Sequence, residues 1–260
     1  MDDVIVYEVE EGIGVLRVNR PEARNALNWR AQERFAAVVE SAAADDALRA
    51  LIITGHGPTF VSGGDLKELA GHPEQEAGER LNRVMGRALA RLAALPVPVF
   101  AAINGDAAGG GCEIALACDL RLVAAGARLH FVQVRLGLTT GWGGGGRLVR
   151  LVGQSRALAL LLGGRSIDAA EAQRIGLVHR VVPAGEDVLV AARAWAADLV
   201  EMPRDAVAAM KQLLYAAGSL SAAETAAYER ELFVRLWAQP NHREAVAAFL
   251  EKRRPHFNRE

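Results

Sequence analysis

The amino-acid sequence predicts an α/β fold that ends in a helical region. Short apolar runs typical of strands recur in the first half of the chain with helical segments between them, at 50–53, 97–103 and 120–124. After residue 145 the pattern changes, because almost every segment there has helical periodicity. We therefore predict a core domain over residues 1–200 and a C-terminal helical region over residues 201–260.

Each element has a local signal. Glu11 and Gly12 are turn residues between two strand-like runs, so the chain is expected to begin with a β-hairpin. The run Ala50–Ile53 is apolar throughout, as is typical of a parallel strand that is buried on both faces. The other strands are expected at 4–9, 14–18, 97–103, 120–124 and 178–182. Helices are expected from Asn28, an N-cap residue, to about Ala44, and over 75–94, 110–117, 155–162, 168–175, 185–201, 205–216, 221–238 and 241–253.

The composition excludes several classes of protein. The 260 residues include 30 Lys and Arg against 31 Asp and Glu, and this balance argues against a dedicated nucleic-acid-binding protein. A hydrophobic content of 51% is too high for an intrinsically disordered chain. Aromatic residues make up only 5%, so the core is expected to be aliphatic.

The two cysteines and the N-terminus bear on the compartment. Cys112 and Cys118 are too few for a disulfide framework, and without clustered histidines they predict no metal site, so both are interpreted as buried apolar residues. The acidic start, Met1 to Asp3, does not resemble a signal peptide, and no uncharged stretch approaches the length of a membrane helix. We expect a cytoplasmic protein with no membrane partner.

Three glycine-rich passages are the first candidates for a functional site, at 60–66, 104–113 and 141–147. A strand that ends in glycines and leads into a helix presents free backbone N–H groups, which favour negative charge. Gly110, at such a helix start, and Gly64, in the first passage, are candidate donors of an oxyanion hole. None of the passages matches a phosphate-binding P-loop or a dinucleotide fingerprint, so no nucleotide cofactor is expected.

Glu113 is the candidate acid–base residue. It lies in the first turn of the helix that Gly110 begins, three residues from the candidate oxyanion donor. At that position it either complements the helix dipole or transfers a proton. The six histidines are scattered, and His130, the one nearest the presumed site, is interpreted as structural.

Taken together, these motifs resemble those of the crotonase superfamily, the enoyl-CoA hydratase/isomerase group. The resemblance extends over essentially the whole chain, through the stretches 20–28, 60–66, 98–119, 136–138, 141–153, 172–178 and 249–253. It implies a spiral of repeated ββα units, a helical tail that assembles trimers or dimers of trimers, and an acyl-CoA thioester substrate. No separate cofactor is implied, because CoA is part of the substrate.

The resemblance also assigns roles to individual residues. The backbone N–H groups of Gly64 and Gly110 match the family's oxyanion hole, and Glu113 matches the first of its two catalytic glutamates. The implied CoA-binding positions are Ala23, Arg24, Ala26, Val61, Ser62, Gly63, Asp65, Leu66, Phe249 and Lys252, the last two from the tail.

One position departs from the family pattern. The second catalytic glutamate of the hydratases is expected three residues before the Leu136–Leu138 stretch, and that position is Gln133. Glutamine forms hydrogen bonds but does not exchange a proton at neutral pH. The segment 131–144, with Trp142 as a candidate wall of an apolar pocket, is also somewhat similar to superfamily decarboxylases that act on malonyl-type CoA esters.

Four hypotheses therefore remain open from the sequence. The first is a hydratase-type lyase in which Glu113 transfers protons and Gln133 positions water. The second is a decarboxylase of a methylmalonyl- or ethylmalonyl-CoA ester, which uses the same oxyanion hole. The third is an enoyl-CoA isomerase, and the fourth is a non-catalytic member that binds acyl-CoA or RNA.

Overall fold

The computed structural model describes residues 3–257, and this part of the chain folds into two β-sheets surrounded by helices. The strands are β1 (Ile5–Glu10), β2 (Ile13–Val18), β3 (Ala50–Gly55), β4 (Thr59–Val61), β5 (Val99–Ile103), β6 (Asp106–Ala108), β7 (Leu120–Ala124), β8 (Arg128–His130), β9 (Ser166–Asp168) and β10 (Arg180–Val182). The helices are α1 (Trp29–Ala44), α2 (Leu66–Leu69), α3 (Gln75–Ala93), α4 (Gly110–Ala117), α5 (Gly144–Val152), α6 (Gln154–Leu162), α7 (Ala169–Arg174), α8 (Val188–Val200), α9 (Arg204–Ala217), α10 (Ala222–Trp237) and α11 (Pro240–Glu251).

The two sheets are built in parallel as the chain advances. The larger sheet has the order β1-β2-β3-β5-β7-β10, and every neighbouring pair except β1 and β2 is parallel. The smaller sheet has the order β4-β6-β8-β9, with an antiparallel pair only at β8 and β9. Each successive turn of the chain, β3 then β4, β5 then β6, β7 then β8, adds one strand to each sheet. This winding is the spiral of ββα units that the resemblance implies.

The larger sheet is covered on both faces, as the apolar run at 50–53 predicts. Leu51 and Ile53 of β3 lie in the main core with α1 and α3, whereas Ala50 and Ile52 face the opposite side. There they pack with Ala192 and other small residues of α8. Successive side chains of a strand point to opposite faces, so one continuous apolar run supplies both layers.

The smaller sheet and two helices, α2 and α5, were not predicted from the sequence. The strands of that sheet have three residues each, which is too short to show a period-two pattern, and two of them lie within glycine-rich passages. Helix α5 begins inside the third glycine-rich passage and was masked in the same way. Strand β5 begins at Val99 rather than at residue 97, and the N–H of Val99 donates to the side chain of Asp119 at 2.7 Å.

Helices α9, α10 and α11 fill the C-terminal part, as the periodicity predicts, and the division of the chain near residue 200 stays a prediction. Within residues 3–257 no helix combines the length and the apolar composition needed to cross a bilayer.

Candidate active site

Gly109 positions the N-terminus of α4. Gly109 adopts φ 51° and ψ −113°, a conformation that suits glycine, and its N–H donates to the carbonyl of His130 at 2.9 Å. Gly110 is therefore the first residue of α4, and its N–H has no acceptor within the described chain.

The Gly64 segment lies directly beside this helix start. Leu27 bridges to it through two hydrogen bonds, which use the carbonyl of Gly63 and the N–H of Asp65. Because successive backbone groups of an extended segment point in opposite directions, the N–H of Gly64 faces away from Leu27. Gly63 has φ 92°, and a Cβ there would lie 3.0 Å from the nitrogen of Gly110. The two segments meet as an oxyanion hole requires, while the role of their N–H groups stays a prediction.

Glu113 is the buried carboxylate next to this helix start. Its side chain is one turn along α4, and the residue is 3% exposed. One carboxylate oxygen accepts from the N–H of Trp142 at 2.7 Å and from that of Gly144 at 2.9 Å. The other accepts from the N–H of Gly141 at 3.2 Å and from Nε2 of Gln133 at 3.3 Å. The carboxylate is thus fixed by four donors, three of them from the third glycine-rich passage.

Gln133 meets Glu113 across the site, so the residue that replaces the family's second glutamate is part of the same cluster. Its amide nitrogen faces Glu113, which fixes the orientation of the amide because an ionised carboxylate only accepts hydrogen bonds. The residue is only 8% exposed, and its buried oxygen, Oε1, has no hydrogen-bond partner within the described chain. A buried amide oxygen without a partner is costly, and it indicates an acceptor intended for a ligand or water.

Trp142 closes the side of the site. The residue is buried, and a Cβ at Gly110 would lie 2.2 Å from the Trp142 ring, so the indole packs directly on the Cα of that glycine. Trp142 is part of the main core cluster, and its role in a substrate pocket stays a prediction. The backbone carbonyl of Trp142 accepts from Nη1 of Arg147 at 2.8 Å, and the neighbouring carbonyl of Gly141 accepts from the side chain of Asn82 in α3. Arg147 and Asn82, which sequence reasoning did not single out, hold the loop that binds Glu113.

The expected CoA-binding loop is anchored by a buried asparagine. Asn25 donates to the carbonyls of His56 and Thr59 at 2.9 and 2.7 Å, and accepts from the N–H of Arg20 at 2.9 Å. Arg20 also pairs with Asp65 at 2.9 Å. Although partial burial opposes ionisation, the hydrogen bond and charge of Arg20 hold the pKa of Asp65 below its usual value. Asn25 carried no chemical motif, so the sequence offered no signal for it beyond its place in the 20–28 stretch.

The other expected CoA-binding positions surround this loop. Gly63 and Val61 are buried, Ala26 is buried beside Asn25, and Ser62 and Ala23 are partly exposed. Arg24 and Leu66 are exposed. Phe249 and Lys252 are exposed at the end of α11, and no hydrogen bond or ion pair in the described chain joins them to Glu113 or its neighbours. The binding roles of all these residues stay predictions.

The two cysteines are buried, and the side chain of His130 is held within the smaller sheet. Both thiols are buried, and burial raises the pKa of Cys112 and of Cys118 to about 12. The side chain of His130 lies between Oγ of Ser166, at 2.6 Å, and Asp106, at 3.4 Å, on three neighbouring strands of the smaller sheet.

Comparison with known proteins identifies relatives along the entire chain. Residues 8–260 match the family model described as enoyl-CoA hydratase/isomerase. A "probable enoyl-CoA hydratase" of Mycobacterium tuberculosis is 38% identical over 255 residues, which cover 98% of each chain. The 2,3-dehydroadipyl-CoA hydratase of Escherichia coli is 37% identical, with 99% of each chain covered. The crystal structure of an enoyl-CoA hydratase from Bacillus anthracis superposes with a TM-score of 0.95 at 31% identity, covering 99% of this chain and 100% of the other.

Proposed function

The chain belongs to the enoyl-CoA hydratase/isomerase family, and from that premise we propose that it hydrates the double bond of a 2-enoyl-CoA thioester with Glu113 as its single proton-transfer residue. The observation that carries the proposal is the buried pair of Glu113 and Gln133 beside the start of α4. The proposed substrate class is an acyl-CoA thioester.

In the proposed reaction, the N–H groups of Gly64 and Gly110 hold the thioester oxygen while the electron density of the double bond moves onto it. Each such donor contributes about 3 kcal/mol in enzymes that use an oxyanion hole. Glu113 exchanges its longest hydrogen bond, the one from Nε2 of Gln133 at 3.3 Å, for a proton of the water as the water oxygen bonds to Cβ, and then returns the proton to Cα. Oε1 of Gln133 accepts the second hydrogen of the water and so orients it.

The polarity of the site argues against the decarboxylase hypothesis. Of the oxygens of the Glu113–Gln133 pair, only Oε1 of Gln133 has no hydrogen-bond partner within the described chain, and an amide oxygen is an acceptor. The carboxylate of a malonyl-type substrate would need donors there, and beside Glu113 it would meet a like charge. The intact acid–base residue likewise argues against a non-catalytic member.

One observation favours a second candidate, an enoyl-CoA isomerase. A shift of the double bond moves one proton between two carbons, and a single carboxylate such as Glu113 is sufficient for that transfer. In this reading Gln133 orients the carboxylate and binds no water.

The experiment that separates these candidates is a substrate panel on one purified sample. Crotonyl-CoA tests hydration, a 3-enoyl-CoA tests isomerisation, and methylmalonyl-CoA tests decarboxylation. We expect turnover of crotonyl-CoA and no release of CO₂. Glu113→Gln should lower kcat by about 10²–10⁴-fold. Release of CO₂ without hydration of crotonyl-CoA would refute the proposal.

Gln133 supplies a sharper companion test. Gln133→Glu restores a second titratable carboxylate and should raise the rate of hydration, whereas Gln133→Leu removes the free acceptor and should lower it. If neither change alters hydration, Gln133 does not position water, and the isomerase candidate gains support.

We further propose that CoA is bound by the loop 61–66 with Ala23, Arg24 and Ala26, and that the chain assembles into trimers or dimers of trimers in the cytoplasm. Support for assembly comes from large apolar side chains exposed on the last two helices, at Phe233, Val234, Trp237, Phe249 and Leu250. Phe249 is 82% exposed, which is unusual for a phenylalanine that has no partner in an assembly. Size-exclusion chromatography with light scattering tests this proposal.

A further inference from the structure

A groove of about 660 Å³ lies at the end of α4 that is remote from Glu113. Its floor is formed by the C-terminal end of α4 and by the face of α5, and α9 forms one wall. Aliphatic side chains such as Leu116, Leu151 and Leu214 dominate the lining. This volume is within the range of small-molecule pockets, about 300–1,000 Å³.

The groove is lined by more positively than negatively charged side chains. Among the described lining residues, four cationic side chains stand against a single carboxylate, that of Asp119. That carboxylate is already engaged, since it accepts from Lys211 at 2.7 Å and from the hydroxyl of Tyr215 at 2.9 Å. Arg121 is buried and donates to backbone carbonyls, including that of Leu177 at 2.8 Å.

Arg147 and Arg150 have guanidinium N–H groups without a hydrogen-bond acceptor in the described chain. Arg147 uses only Nη1, which donates to the carbonyl of Trp142, and its other guanidinium nitrogens have no acceptor within the described chain. The side chain of Arg150 has no hydrogen bond or ion pair in that part of the chain. Both arginines line the groove, and residues three apart on a helix are neighbours on its surface.

We propose that this groove binds an amphipathic monocarboxylate, a free fatty-acid-type anion, separately from the thioester site. The alkyl chain lies along the aliphatic walls, and the carboxylate lies between Arg147 and Arg150. An apolar groove with unmatched cations at one end selects this chemistry, because a neutral lipid leaves the cations unpaired and a cation is repelled. The proposal does not depend on which reaction the Glu113 site catalyses.

The test uses the full-length chain in its native assembly and isothermal titration with decanoate, decan-1-ol and decyltrimethylammonium. We expect saturable binding of decanoate, at least about tenfold weaker binding of the alcohol, and no binding of the cation. Equal binding of decanoate and decyltrimethylammonium would overturn the proposal, and so would the absence of saturable decanoate binding.

Matched variants locate the binding. Leu214 lines the groove and is 67% exposed, so the fold tolerates a change there. Leu214→Glu should weaken decanoate binding at least about tenfold through like-charge repulsion, and Leu214→Gln, of the same size and neutral, should not. Arg150→Gln should weaken it by a similar factor. Decanoate binding unchanged in Leu214→Glu and Arg150→Gln would place the ligand elsewhere and overturn the proposal.

Light scattering on the same samples covers the other occupant of such a groove, a second copy of the chain. If Leu214→Glu dissociates the assembly and decanoate does not bind to the unaltered protein, the groove is an interface between copies and the proposal is wrong.

Discussion

Replacing Gly144 by alanine tests whether Glu113 is held where the structure places it. Gly144 is the first residue of α5, and its N–H donates to the Glu113 carboxylate at 2.9 Å. A Cβ on Gly144 would lie 2.5 Å from Cγ of Glu113 and 2.8 Å from its Oε2. Atoms do not approach so closely, so either α5 or the carboxylate must move.

The expected magnitude follows from these distances. Overpacking a buried site costs about 1–3 kcal/mol, and replacing a helical glycine by alanine returns about 0.4–1 kcal/mol. The free energy of unfolding should therefore fall by about 1 kcal/mol, the difference between the middle values of these two ranges. The effect on activity should be larger, because moving a catalytic group by about 1 Å costs about 10²-fold in rate.

Gly146 provides the matched control, two residues further along the same helix. A Cβ there meets nothing within 4 Å, so Gly146→Ala should keep kcat unchanged and raise the free energy of unfolding by about 0.4–1 kcal/mol. Hydration of crotonyl-CoA and urea unfolding are measured on both variants. Wild-type kcat in Gly144→Ala, with Gly146→Ala also normal, would refute the inference that the contact with Gly144 fixes the catalytic position of Glu113.

Three further predictions concern the scaffold around the site. Because burial raises the pKa of Cys112 and Cys118 to about 12, iodoacetamide at pH 8 should label neither thiol in the native protein and both in guanidinium chloride, as measured by mass spectrometry; native labelling would contradict their burial. Asn25→Ala should lower the free energy of unfolding by about 2–4 kcal/mol, since it removes one buried and two partly buried hydrogen bonds to the backbone, and a loss below about 1 kcal/mol in urea would contradict that role. Burial, with the charge of Arg121, holds the pKa of His179 below its ordinary value of 6.5. The unfolded chain therefore takes up this proton first as the pH falls, so stability should decline below about pH 6.5, and His179→Gln should decline less between pH 7.5 and 5.5.

The parts of the fold that the sequence predicted have either a continuous apolar run or a helical spacing of apolar residues. The apolar run at 50–53 predicted a strand covered on both faces, and the helical tail followed from its spacing. The smaller sheet has no such signal, because its strands are held by pairing with distant segments rather than by their own pattern. Tertiary contacts, not local preference, decide those three-residue strands.

The candidate site was also predicted only in part from the sequence. Glycines at strand–helix junctions pointed to Gly64 and Gly110, and the structure brings their segments together. The third glycine-rich passage was recognised without a role, and its N–H groups prove to be the donors that hold Glu113. No spacing rule reveals such a contact, because it joins residues 28 to 31 positions apart.

The four donors around Glu113 change the meaning of a common substitution. Glutamine is usually taken as a neutral copy of glutamate, but here each side-chain oxygen faces two hydrogen-bond donors. An amide at this position would turn its own NH₂ group toward the N–H groups of Trp142 and Gly144 or toward that of Gly141, so that donors oppose donors. The same contacts limit which mutations of Glu113 leave the structure intact. A mutation that neutralises Glu113 also removes the acceptor that holds the loop 141–144, so the charge and the local structure are lost together.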